Sequence, residues 1–161
     1  MSTEHDYAPG SEQHQWLERD LANAQAMPWR IVAGHRPMYS SLNRELEQHR
    51  PGAPLQRHIE PLLLKYGVHL YLSGHMHAYE RSHPVSNGQS RRAGTAPVHL
   101  VLGNGGIVLD HRHAFVSPAP PWVAVRTKRH YGFVRVFANA SALSFEAVDA
   151  HTGVVLDAAS L

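Results

Sequence analysis

Twice along this chain a helical stretch is followed by a short apolar run that stops at Gly-His. Trp29-Arg30-Ile31-Val32-Ala33 ends at Gly34-His35, and Val68 to Ser73 ends at Gly74-His75-Met76-His77. Runs this short, bounded by glycine, read as buried strands rather than helices. The residues before each run have helical spacing instead. Residues 11–26 place Trp16, Leu17, Leu21 and Ala24 on one face behind an N-cap at Ser11; residues 55–66 do the same with Leu55, Ile59, Leu62, Leu63 and Tyr66, closed by Gly67. Helix then strand, repeated, implies α/β layering with the functional side chains just beyond the carboxyl ends of the strands.

A polar stretch from Tyr39 to Pro54 joins the two units. Residues 82–96 read as a loop, Val98 to Leu102 as a strand, Gly103 to Gly106 as a turn and Pro118 to Trp122 as a bend. Tyr131 to Phe137 and Ala142 to Val148 alternate like paired antiparallel strands. With 161 residues, 43% apolar and 17% charged, residues 1–161 are expected to form a single domain. No run of about 18 apolar residues offers a bilayer span. The first residues lack the basic start and apolar centre of a signal peptide, so the expectation is a soluble chain with neither a membrane segment nor an export address. A net charge of +2 gives no reason to expect a nucleic-acid partner, whereas protonation of the 14 histidines below about pH 6 would make the chain strongly cationic.

The absence of cysteine rules out disulfides and thiolate sites, leaving imidazole and oxygen as metal ligands. A strand ending in a glycine turn aims an imidazole rigidly. His75 and His77, two apart across such a turn, can each reach one ion of a pair spaced about 3.5–4 Å, and His35 can join one of them from the other strand tip. His111-Arg112-His113 repeats the pattern in a polar stretch and is expected to be solvated. Asn104 reads as a turn residue.

The strings VAGHRPMYSS and LSGHMHAYERSHPVSNG resemble two consecutive motifs of the purple acid phosphatases, a family of the calcineurin-like metallophosphoesterases. SEQHQWLERDLA is similar to the helix before the first of them, APVHLVLGNGG to the strand and glycine turn after the second, and HYGFVRVFANASALSFEAVDAHTGVVLD to the closing strands, so the resemblance covers nearly the whole chain. It implies a four-layer α/β/β/α sandwich, of which this chain would supply roughly one sheet with its helices and closing strands. The implied activity is hydrolysis of phosphate monoesters in acid by hydroxide on a dinuclear centre of Fe(III) with Zn(II), Mn(II) or Fe(II). By the same resemblance His35 and His75 would bind the divalent ion and His77 the ferric ion. Tyr79, Glu80 and Arg81 would support the site or border the substrate pocket, with packing and ion pairing as an equal alternative. Arg36 could face phosphate, an exposed salt bridge being the preferred reading. Family members are commonly secreted, vacuolar or lysosomal.

The family's Gly-Asp-x-Gly, Gly-Asp-x-x-Tyr and Gly-Asn-His motifs, which carry the remaining ligands, do not occur: none of the 12 glycines precedes an aspartate, and Gly103-Asn104 continues into Gly-Gly. The chain therefore resembles a carboxyl-terminal half. Alone it is expected to hold at most one divalent ion, to be weakly active or inactive, and to self-associate through the surface the other half would cover. A non-catalytic metal-binding or regulatory form is the alternative. A polyanion binder driven by the histidines is a more distant one. His83 and Ser90 stand where many family members place cysteines, which predicts a looser loop.

Overall fold

The computed structural model describes residues 1–50 and 52–161. Helix α1 (Glu12–Asn23) begins where the Ser11 side-chain oxygen accepts from the His14 amide, satisfying one of the orphan N–H groups of the first turn. Leu17 and Leu21 are buried, but Trp16 is left at the surface, so the apolar face is narrower than its spacing predicts. Strand β1 (Ile31–Ala33) turns only Val32 inward, as suits an edge strand. Helix α2 (Pro54–Lys65) carries proline in its first turn, where the missing N–H costs nothing, and buries Leu55, Ile59, Leu62 and Leu63. Gly67, at φ +58°, ends it by reversing the chain so that the Val68 amide donates to Leu63 O at 2.8 Å.

Next come β2 (Leu70–Ser73), β3 (Tyr79–Ser82), the short pair β4 (Val85–Ser86) and β5 (Gln89–Ser90), then β6 (Val98–Leu102), β7 (Val123–Thr127), β8 (Gly132–Ala138), β9 (Leu143–Asp149) and β10 (Val155–Ser160). One sheet has the order β1-β2-β6-β3-β7, with β1, β2 and β6 parallel and β3 antiparallel to both its neighbours. The other is antiparallel, β10-β9-β8.

Alternation along β2 and β6 explains the layers. Tyr71 faces α1 and α2 in a core with Leu17, Leu21, Val32, Ile59 and Leu63. Leu70, Leu72, Val98 and Leu100 face the opposite way and meet Phe145, Val134 and Ala159 of the second sheet. The result is three layers, helix on sheet on sheet. The chain thus supplies parts of two facing sheets, not one as expected.

Two further differences concern single segments. Residues 82–96 are not featureless, since Asn87 and Gly88, at φ +49° and +69°, make the tight turn that pairs β4 with β5. Without cysteines this segment is anchored by hydrogen bonds: the His83 amide donates to Trp122 O at 2.8 Å and Ser90 Oγ to Pro121 O at 3.0 Å. Strands β3, β7 and β10 are additions to the expected set.

His99, on β6, is fully enclosed between the rings of Tyr39 and Tyr71, with no partner for either ring nitrogen. Burial drives this imidazole down to about 3. His49 is similarly enclosed, donates from Nδ1 to Pro37 O at 3.0 Å, and is pushed by burial down to about 4.

Candidate metal centre

The two Gly-His turns are fastened to each other by backbone. The Gly34 amide donates to Leu72 O and the Gly74 amide to His35 O, both at 2.9 Å, extending the β1–β2 ladder beyond the strands. Glycine is needed at 34 because a Cβ there would lie 2.5 Å from the Tyr71 hydroxyl. It is needed more at Gly103, where a Cβ would fall 1.8 Å from Met76 O, since the end of β6 presses on the backbone that carries His75 and His77.

This clasp brings His35 and His75 together. His75 Nδ1 lies 3.1 Å from His35 Nε2, and the rings meet edge to face. His75 itself sits at φ +61°, a conformation that non-glycine residues adopt reluctantly and that concentrates at functional sites. Burial lowers its pKa; the Arg36 charge adds to that effect and the Glu45 hydrogen bond opposes it. His77 is turned differently, with Nδ1 donating to Val108 O at 2.9 Å so that Nε2 keeps its lone pair. Among the described residues no group of three or more His, Cys, Asp or Glu side chains converges on one point.

The donor set can be tested against a metal on this geometry. Two imidazoles on a tetrahedral ion with bonds of about 2.0–2.1 Å hold their nitrogens roughly 3.3 Å apart. The 3.1 Å between His35 and His75 is close to that edge. The outer nitrogens of His75 and His77 both meet oxygen acceptors, as ligating histidines generally do. The residues therefore fit the imidazole share of a metal site but not a complete one, because no carboxylate bridges them.

The other expected residues are committed elsewhere. Tyr79 Oη donates to Asp157 Oδ2 at 2.7 Å, and Arg81 forks onto the same carboxylate at 2.6 and 2.9 Å, so this trio clamps β3 to β10. Glu80 is buried and accepts from the Ser41 amide and Ser40 Oγ, which fixes the segment following His35. All three side chains are thus hydrogen-bonded within the fold. Arg36 is held by Glu4 at 2.8 Å, Glu45 at 2.9 Å and Gln48 at 2.7 Å. Asn104 donates to His130 O at 3.0 Å, joining the glycine turn to the approach to β8. His113 pairs with Asp110 at 2.8 Å, and His111 is exposed.

Glu45 was not foreseen. Its carboxylate lies 3.1 Å from His75 Nε2, although nothing in the polar stretch after Tyr39 marks it as a site residue. Burial tends to raise its pKa, but the His75 hydrogen bond and the charges of His75, Arg36 and Arg44 together hold it below the ordinary value.

Comparison with known proteins identifies relatives over most of the chain. Residues 2–79 match the family model for calcineurin-like phosphoesterases, and residues 96–158 that for the iron/zinc purple acid phosphatase-like protein C. Purple acid phosphatase 18 of Arabidopsis thaliana is 39% identical over 123 residues, covering 75% of this chain and 27% of the relative. Probable inactive purple acid phosphatase 9 of the same plant is 34% identical over 168 residues, covering 98% and 26%. The structure of a purple acid phosphatase from yellow lupin (Lupinus luteus) seeds superposes with a TM-score of 0.83 at 28% identity, covering 99% of this chain and 29% of that one. The chain thus spans between a quarter and a third of the length of these relatives.

Proposed function

Because the chain belongs to the purple acid phosphatase family of the calcineurin-like phosphoesterases, we propose that it carries the imidazole share of a metal-dependent phosphomonoesterase centre. In this reading His35 and His75 serve a divalent ion and His77 its ferric partner. The observation that carries it is the 3.1 Å approach of His75 Nδ1 to His35 Nε2 at the clasped strand tips. The metal pair, when bound, supplies a water of lowered pKa as nucleophile and neutralises charge on the phosphoryl group.

The chain's own residues aim and hold. Glu80 fixes the turn after His35, Val108 O sets the tautomer of His77, and Gly103 allows β6 to brace the His75–His77 turn. Arg36, paired with Glu4 and Glu45, is a structural cation and not a phosphate ligand. Since the aspartate and asparagine motifs do not occur in the 161 residues, residues 1–161 act as the carboxyl-terminal portion of a catalytic domain, take up at most one divalent ion and turn over phosphate monoesters weakly or not at all. A non-catalytic form is the second reading, favoured by the match across 98% of the chain to a relative named probable inactive.

The test is hydrolysis of p-nitrophenyl phosphate, with metal content, by the chain and by His77→Ala. Expected are one ion or fewer per chain and negligible turnover. Robust turnover abolished by the substitution would show that the site is complete without the missing motifs.

A further inference from the structure

The geometry points to Glu45 as a positioning residue for His75, its carboxylate fixing the imidazole as the Nε2–H tautomer so that the Nδ1 lone pair faces His35. Glu45 Oε2 lies 3.1 Å from His75 Nε2 and 2.9 Å from Arg36 Nη1. Arg36 Nη1 has two hydrogens. One goes to Glu45 Oε2 and the other to Gln48 Oε1 at 2.7 Å, so the 3.3 Å contact of Nη1 with His75 Nε2 has no hydrogen left to fill it. A carboxylate only accepts. His75 Nε2 must therefore be the donor, which leaves Nδ1 unprotonated on the side where His35 stands.

A second observation concerns backbone. Among the described residues three non-glycine residues have positive φ: Asn87, explained by its hairpin turn, Glu45 at +52° and His75 at +61°. The last two belong to different segments and touch each other. A left-handed glutamate is disfavoured unless the surroundings hold it. Here it is held by Arg36 through Oε2 and by Arg44, 3.5 Å from Oε1, so that both cations aim one carboxylate at one imidazole. Carboxylate partners of this kind orient metal-binding histidines and commonly alter metal affinity by about 10–100-fold.

The inference rests on reading His75 as an ion ligand, and two measurements keep the two claims apart. In the metal-free chain, 15N–1H correlation of the imidazole is expected to show His75 as the Nε2–H tautomer, to show it mixed in Glu45→Ala, and to show it retained in Glu45→Gln, which keeps an acceptor oxygen. Calorimetric titration with Zn(II) is expected to show Glu45→Ala binding about 10–100-fold more weakly than the unaltered chain, with thermal unfolding scarcely changed. An Nδ1–H tautomer in the unaltered chain, or an Nε2–H tautomer unmoved by Glu45→Ala, overturns the positioning role. A tautomer that responds as expected in a chain that binds no zinc upholds Glu45 and refutes the ligand role of His75.

Discussion

His99 should make this chain lose stability in mild acid, and replacing it with phenylalanine should remove a defined part of that loss. The imidazole is enclosed without a hydrogen-bond partner and sits at about 3, against an ordinary value of 6.5. The unfolded chain binds a proton near pH 6.5 that the folded chain refuses until about pH 3, so the contribution of neutral His99 is whole above pH 6.5 and drains away as the pH falls toward 3. At about 1.36 kcal/mol per pH unit, the loss on going from pH 7 to pH 5 is roughly 2 kcal/mol, a large part of a typical margin of 5–15. His49 adds a loss of the same sign over the same interval, while Glu60 and Glu80, raised by burial, act the other way. The informative quantity is therefore a difference. Urea unfolding of the unaltered chain and of His99→Phe, followed by tryptophan fluorescence at pH 7, 6 and 5, should give free energies whose gap changes by about 2 kcal/mol between the extremes at constant m. Any fixed cost of fitting a phenyl ring between Tyr39 and Tyr71 cancels. Curves that run parallel within about 0.5 kcal/mol would refute a buried neutral His99.

Asp157→Ala strands the Arg81 guanidinium and the Tyr79 hydroxyl and should cost about 3–5 kcal/mol, a fall of roughly 10 °C in Tm by calorimetry, whereas Glu146→Ala, at the exposed pair with Arg135, should shift it by no more than a degree or two. Equal effects would contradict the clamp between β3 and β10. Gly103→Ala must displace Met76 and should abolish a cooperative melt by circular dichroism, while Gly105→Ala, whose Cβ finds only Gly132 O at 3.9 Å, should be tolerated. β8 lies at the edge of its sheet with Phe133 and Phe137 half-exposed, so the chain should elute as more than a monomer on sizing and shift toward monomer in Phe133→Lys with Phe137→Lys. A clean monomer at high concentration would count against self-association.

The parts legible in the sequence were those with strong period or punctuation. Both helices follow from 3.6-residue spacing with a cap at Ser11 and a stop at Gly67, and both histidine turns from apolar runs broken by glycine. Strand β7 escaped because Val123–Thr127 is half-buried at every position and has no clean alternation. The exposure of Trp16 escaped because helical spacing fixes a face and not its width. Glu45 escaped for a different reason: its contact with His75 spans 30 residues and depends on how a polar segment folds back, which neither composition nor period encodes.

The backbone clasp between the two histidine turns has a consequence for how such a chain can vary. The β1–β2 register pairs Ile31 with Leu70, Val32 with Tyr71 and Ala33 with Leu72, and the Gly34 and Gly74 amides continue it. A slip of one residue would turn Val32 to the wrong face and part His35 from His75 together. Insertions at the exposed turn over residues 92–95 could lengthen the approach to β6 at small entropic expense, since closure cost grows only logarithmically. A single residue added to or removed from the three-residue strand ahead of Gly34 would erase core and site in one step. Length is free in the loop and quantised at the strand.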